Sequence, residues 1–500
     1  MDVIVRRSPP AARAADVLAV GVNTGAKRSG AALLLDRATR GAVTALLGSG
    51  DFKAQPGEAV LLYPKGVKAK RVLLVGLGER GAAGGRGLLL AAAQAARRAR
   101  DLGAKTLALA FEEDGETGEA AARAIGEGLV LGHYRHTAYR RESKAPLARA
   151  DVLTAAAPGK VLAAELARGV VRGEALCLAR DLANTPAQDL VPEQLAARAQ
   201  EVAKAVGAKA TVLDVPAMER LGMGCVLAVG RGSAHPPRFV VLEKAPAGPP
   251  AKRGAKPPAT VVVIGKGVTF DTGGYSLKPR EGMNKMKYDM SGAAVVIGLF
   301  AASATLELPF RLVGLIPSAE NMVSDRALKP GDVVRALDGT TIEVTNTDAE
   351  GRLLLADALG YAKRFEPEVV VDLATLTGAI SVALGRSAAG LFTRDDALAA
   401  ELAAAGEATG ERLWRMPLWD DYLTEMKGDT ADLVNSSEKR EGGACTAAAF
   451  LEHFARGLRW AHLDIASTAW TFSERPDSPR GANAFGVRLL TRWMEARAKA

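Results

Sequence analysis

Carboxylates and lysines gather in three short stretches between residues 264 and 352. IGKGVTFDTGGYSLKP (264–279) carries Lys266, Asp271 and Lys278. MKYDMSGAA (286–294) carries Asp289, and NTDAEGR (346–352) carries Asp348, Glu350 and Arg352. Four carboxylates brought to one place cannot all stay ionised unless cations neutralise them. Two divalent ions bridged by carboxylates would do this, and would also activate a water and polarise a carbonyl. No histidine lies in these stretches. His133, His136, His235, His453 and His462 are elsewhere and show neither HExxH nor HxH spacing. The donor set is therefore oxygen-rich, compatible with zinc, manganese or magnesium. Taken singly, each acid could instead cap a helix or pair with a nearby Lys or Arg. Taken together and buried, they need specific partners.

The elements around these residues suit a site. Lys266 and Asp271 follow the strand-like run TVVVIG. Asp289 precedes an uncharged run from Met290 to Leu306 that reads as a buried helix, being slightly short for a membrane span. Asp348 and Glu350 follow the hairpin pattern VVRALDGTTIEVTN, whose Asp338-Gly339 pair suits a tight turn, and lead into the helical LLLADALGYAKRF. Acids at strand ends and helix starts converge at the carboxyl edge of an α/β sheet.

Upstream, 16–22, 31–36, 71–78 and 105–113 read as strands. Residues 88–103 and the run ETGEAAARAIGEGLVLGHY read as helices. The pattern predicts an α/β protein: a smaller N-terminal α/β domain (1–157), a linker helix (158–183), and a larger α/β catalytic domain (184–500) with a central mixed sheet flanked by helices. Residues 244–259, rich in Pro, Ala and Lys, are expected to form a surface loop.

Composition narrows the function classes. At 48% hydrophobic and 24% charged residues, the chain is globular rather than disordered or fibrous. Cys177, Cys225 and Cys445 form no CxxC pair, which excludes a disulfide scaffold and fits a cytoplasmic protein. The N-terminus, interrupted by Arg and Pro, shows no secretory signal, and no membrane role is expected. Residues 1–160 hold 25 Lys+Arg against 15 Asp+Glu, so the basic excess lies there. Lys65, Lys68, Lys70 and Arg71 form one cluster and Arg97, Arg98 and Arg100 another, so an added nucleic-acid-binding role is one alternative. Only 5% of residues are aromatic and no stacking motif interleaves with the clusters, which favours a solvated face. Gly76-x-Gly78-x-x-Gly81 after the strand RVLLV matches a dinucleotide fingerprint, making an oxidoreductase a second alternative. No helix follows at once, and neither Asp101 nor the acidic run 112–114 suits a ribose-binding acid.

GKGVTFDTGGYSLKP, MKYDMSGAA and NTDAEGRLLLADAL closely resemble the signature segments of the leucyl aminopeptidase family of two-metal cytosolic exopeptidases. DLANTPAQDLVPEQLA (181–196), SAENMVSDRALKPGDV (318–333), VDLATLTGA (371–379) and WAHLDIASTAW (460–470) are similar to it as well. The resemblance covers about 180–500 and is weaker before 160. It implies one divalent metal on Lys266, Asp271, Asp289 and Glu350, and a second on Asp271, Asp348 and Glu350. Zinc or manganese is implied, with magnesium admissible at one site. It implies Lys278 and Arg352 as the catalytic pair, with bicarbonate held near Arg352. It implies a side-chain pocket from Met286, Thr375, Leu376, Gly378, Ala466 and Ala469, favouring N-terminal Leu or other apolar residues, and a homohexamer acting on peptides. Thr272 and Tyr275 depart from the commoner family residues, and the 244–259 loop is longer than usual. None of these removes a ligand.

Overall fold

The structure, a computed structural model, describes the chain except for residues 26–29, 80–83, 112–117, 142–146, 158, 249–256, 440 and 500. Two compact units emerge, Met1–Cys177 with Phe472–Arg480, and Leu178–Thr471 with Gly481–Ala500. The helix Lys160–Asn184 runs from the first unit into the second. The segment 472–480, which the sequence reading leaves with the catalytic part, belongs with the first unit.

The first unit is built on six strands: β1 (Asp2–Arg7), β2 (Val17–Asn23), β3 (Ala59–Leu62), β4 (Val72–Gly78), β5 (Thr106–Ala110) and β6 (Arg149–Thr154). Their order is β1-β6-β5-β2-β4-β3, parallel except where β3 meets β4. β4 is buried along its whole length and β2 along nearly all of it, as expected of parallel strands covered on both faces. The helices Gly84–Asp101 and Glu119–His133 approach closely. A Cβ at Gly128 or Gly132 would run into the carbonyl of Leu89 or Ala93.

Two sequence expectations change here. Residues 31–36, read as a strand, lie in the helix Gly30–Ala38. Ala31, Ala32 and Leu35 are buried while Leu34 is exposed, a helical face that six residues of apolar sequence could not reveal. Gly76 lies inside β4, and a Cβ there would strike the backbone of Ala54 and Gln55. The small residue thus makes room for the chain's own backbone. Gly81 and residues 112–114 lie outside the described residues.

The second unit carries β7 (Lys209–Leu213), β8 (Arg238–Lys244), β9 (Thr260–Gly265), β10 (Gly267–Asp271), β11 (Arg311–Asn321), β12 (Val333–Arg335), β13 (Thr341–Glu343), β14 (Val369–Ala374), β15 (Ala389–Phe392), β16 (Leu413–Arg415), β17 (Leu433–Val434) and β18 (Trp460–Asp464). Nine of them form a mixed sheet in the order β16-β15-β18-β14-β9-β11-β8-β7, with β10 also paired to β11. Its centre, β18-β14-β9-β11, is parallel. β12 and β13 form the expected hairpin, with Gly339 at φ +93° in its turn, and β17 pairs alongside β13.

The helix Ser291–Ala302 is almost entirely buried. Among the described residues, the helical stretch Arg280–Thr305 is the one with length and apolarity for a membrane span, and 78% of its apolar window is buried in the protein. The fold is thus a two-unit α/β architecture, with mixed sheets flanked by helices.

Candidate functional site

The parallel strands end together, and their exits carry the chemistry. Lys266 follows β9, Asp271 closes β10, Thr375 follows β14, and Asp464 closes β18. Asp289 stands between a short 3-10 turn, Met286–Tyr288, and the helix Ser291–Ala302. Glu350 opens the helix Glu350–Ala362, and Asp348 lies just before it. This is the crevice beyond the carboxyl ends of the strands where α/β sheets bind ligands.

Lys266 Nζ sits 2.9 Å from Asp289 Oδ2 and 2.8 Å from Glu350 Oε1, and donates to the carbonyl of Thr375 at 3.0 Å. Lys278 Nζ lies 2.7 Å from Asp271 Oδ2 and also contacts Asp348 Oδ1. Carboxylate oxygens of Asp271, Asp348 and Glu350 lie within 4.8 Å of one another. All five candidate ligands therefore converge, and Lys278 stands beside them.

Two features let them do so. Gly273 and Gly274 have φ of +85° and +65°, which turns the chain between Asp271 and Lys278. At Gly351 a Cβ would come within 2.7 Å of Lys266 Cε and Nζ, so only glycine leaves the lysine its path.

Electrostatics mark the cluster as under-neutralised. Two lysines cannot offset four carboxylates. Burial pushes the Glu350 carboxyl up to about 8, with Asp271 adding to the shift and Lys266 opposing it. Burial likewise lifts Asp289 to about 6, opposed by Lys266 and assisted by Asp271. Asp348 is raised by burial and by Asp271. Burial works against the charge of Lys266, but Asp289, Glu350 and Asp271 outweigh it and hold the ammonium above its ordinary range. Lys278 is held up in the same way. The surplus negative charge is relieved at Glu350, whose raised carboxyl holds a proton more readily than an ordinary glutamate.

The donor set fits divalent cations. Asp289 Oδ2, Asp348 Oδ1 and both oxygens of Glu350 are buried and accept no hydrogen bond in proper geometry, although the lysine ammoniums stand near. Buried carboxylate oxygens normally have donors. Two divalent ions would carry the charge that four carboxylates require while leaving Lys266 as a neutral amine.

Sequence reasoning missed several supporting residues. Asn321, at the end of β11, donates from Nδ2 to Asp271 Oδ1 (2.8 Å) and to the carbonyl of Thr347 (3.0 Å). Asn435 accepts from the Thr345 amide (2.9 Å), donates to the carbonyl of Asn346 (2.6 Å), and accepts from Arg352 Nη1 through its own carbonyl (2.7 Å). Arg352 is buried, its Nε has no hydrogen-bond partner, and burial lowers its guanidinium to about 10. On the strands behind, Asp372 Oδ1 lies 2.5 Å from His462 Nδ1 and Asp372 Oδ2 accepts from Trp460 Nε1 at 2.6 Å.

The candidate pocket residues fall on the turn before Asp289 and on the segments that follow β14 and β18. Met286 is half-buried in the turn before Asp289. Thr375 is buried and donates from Oγ1 to Asp289 Oδ1 at 2.6 Å, so its hydroxyl serves the carboxylate cluster. Leu376 and Ala466 are half-buried, Gly378 is exposed at the start of the helix Gly378–Leu384, and Ala469 is buried.

Two family models cover most of the chain, the cytosol aminopeptidase family catalytic domain over residues 177–491 and its N-terminal domain over 19–143. The chain belongs to the cytosol aminopeptidase family. Its activity class follows: it is a metallo-aminopeptidase, a hydrolase. A probable cytosol aminopeptidase of Roseiflexus castenholzii is 46% identical across 98% of both chains. One from Syntrophotalea carbinolica is 43% identical across 99% of this chain and 100% of its own. A mutant of tomato leucine aminopeptidase superposes with a TM-score of 0.88 at 33% identity, covering 99% of this chain and 96% of that one. The bottromycin maturation enzyme BotP, in complex with Mn, gives 0.85 at 41% identity, covering 97% of this chain and 100% of that one.

Proposed function

We propose that this aminopeptidase removes N-terminal Leu and other apolar residues from peptides, using two divalent ions held by Lys266, Asp271, Asp289, Asp348 and Glu350. The observation carrying the reading is the convergence of those five side chains around buried carboxylate oxygens that accept no well-directed hydrogen bond and have only lysine ammoniums near them. Zinc and manganese are the ions proposed, with magnesium admissible at one position; oxygen-rich sites accept all three. Bound there, the ions supply Lewis acidity toward the substrate's free amine and carbonyl oxygen and lower the pKa of a water.

The chain's own residues do the rest. Lys278, on the glycine-permitted turn, remains an ammonium and donates toward the carbonyl oxygen as negative charge builds there. Arg352 is an anion anchor rather than a base, because a guanidinium does not give up its proton in such a role. Its buried, unpartnered Nε suits a small anion, and bicarbonate is the one proposed. Met286, Leu376, Gly378, Ala466 and Ala469 form the apolar side-chain pocket, with Thr375 shared between pocket and cluster.

A cytoplasmic homohexamer is the proposed assembly. Trp414 on β16, at the sheet edge, and Trp419 are 63% and 61% exposed, and such surface suits contact with a second copy.

Chelation followed by metal add-back tests the activity. Hydrolysis of leucine amide should vanish with chelator and return with manganese or zinc, while N-acetyl-leucine amide should stay intact throughout. Activity that survives complete metal removal contradicts the proposal.

A further inference from the structure

We infer that Asp464 is a positioning residue that sets the width of the substrate side-chain pocket, an inference that rests on the pocket assignment proposed above. Asp464 closes β18, and its register partner Ala374 closes β14. Two adjacent parallel strands therefore release their exit loops side by side. Leu376 stands on one loop and Ala466 on the other, both half-buried.

The Asp464 carboxylate lies between these loops and is fully buried. Its Oδ1 accepts from the Leu376 amide and from the Ala466 amide, each at 3.2 Å. Its Oδ2 accepts from Thr377 Oγ1 at 2.6 Å. One oxygen thus ties both walls of the pocket to a single point. A buried carboxylate is costly to strand, so the amides that satisfy it are held firmly. The same loop holds Thr375, which contacts Asp289 and Lys266, so the pocket wall and the carboxylate cluster share one short stretch of backbone.

Asp464→Asn keeps the shape but leaves one acceptor where two are used, and places an N–H against an amide or a hydroxyl. One wall must then retreat. A loosened apolar pocket loses discrimination between side chains of different size. A residue that only supports the fold would instead slow all substrates alike.

The test uses full-length protein with its metals, and compares kcat and KM for alanine, leucine and phenylalanine amides. In Asp464→Asn the leucine-over-alanine ratio of kcat/KM should fall about tenfold, at the low end of what an apolar pocket discriminates, and mainly through KM. Metal content per subunit should equal that of wild type. Thr377→Val removes the bond to Oδ2 together with the hydroxyl's cap on the Ile380 amide, and should shift the ratio in the same direction by less; Thr377→Ser should restore both bonds and the ratio. An unchanged ratio in both Asp464→Asn and Thr377→Val overturns the inference, as does loss of metal in either. Should Asp464→Asn fail to fold, the Thr377 pair decides alone. A wild-type enzyme with no preference among the three amides overturns the pocket assignment itself. That failure is told apart because it needs no variant.

Discussion

Lys266 holds two states that cannot coexist. Without metal it is an ammonium between Asp289 and Glu350, and as a ligand it must be an amine. Metal uptake should therefore release protons, from Lys266 and from the raised Glu350. Calorimetric titration near pH 7 in buffers of different ionisation enthalpy should show release of more than one proton per subunit; no release contradicts the lysine's role. The same shifts set a pH dependence. Glu350 rises from 4.5 to about 8, so between those values the folded metal-free protein keeps a proton that the unfolded chain loses. Stability of the chelated protein should accordingly fall as pH rises through that window, with Asp289 acting in the same direction from 3.8 to about 6. Thermal melts of chelated protein across the window check the sign. Lys278→Ala should keep its metals and lose roughly 10²–10³-fold in kcat, the usual cost of one electrostatic donor. Normal turnover, or a missing metal, would contradict its assignment.

Among the elements, two glycines separate positioning from stability. At Gly351 an added methyl meets the flexible end of Lys266, which can swing aside. Gly351→Ala should keep most of its stability and lose metal affinity by roughly 10–100-fold, as disturbed ligand support usually does. At Gly292 the methyl meets the carbonyl of Leu373 and the amide of Lys266, both main chain, so strands and helix must move. Gly292→Ala should cost roughly 1–3 kcal/mol in denaturant unfolding, the scale of an overpacked core. Equal losses of stability in the two variants would contradict the distinction. This scale also shows what was legible in sequence. The charged residues of the cluster stand at strand exits and helix starts, so residue type and neighbouring periodicity reveal them. Asn321, Asn435 and Asp464 act through hydrogen bonds that mostly reach across gaps of many residues, and such contacts leave no spacing to read. Residues 31–36 read as a strand yet form a helix because a short apolar run fits both equally until its neighbours choose a buried face.

At the scale of the molecule, the uneven charge is the feature that sequence could state but not interpret. The Arg97–Arg100 cluster is largely engaged within its own unit. Arg97 Nη2 pairs with Glu474 at 2.6 Å, and Arg100 donates to Asp101 and to the carbonyls of Gly132, His133 and Tyr134. Cations spent on their own chain have little left for phosphates. Fluorescence anisotropy with duplex DNA at low salt, where such attraction is strongest, should find no binding that Arg97→Ala or Arg100→Ala weakens. Salt-sensitive binding lost in those variants would revive a nucleic-acid role.

The central proposal is that five side chains from three separate stretches hold two ions, with Asp271 and Glu350 shared between them. Elemental analysis of wild type and of Asp271→Ala and Glu350→Ala, each paired with leucine amide hydrolysis, bears on it directly. Wild type should carry two divalent ions per subunit, and each variant should lose metal and activity together. A full complement of metal in either variant would contradict the shared-ligand site.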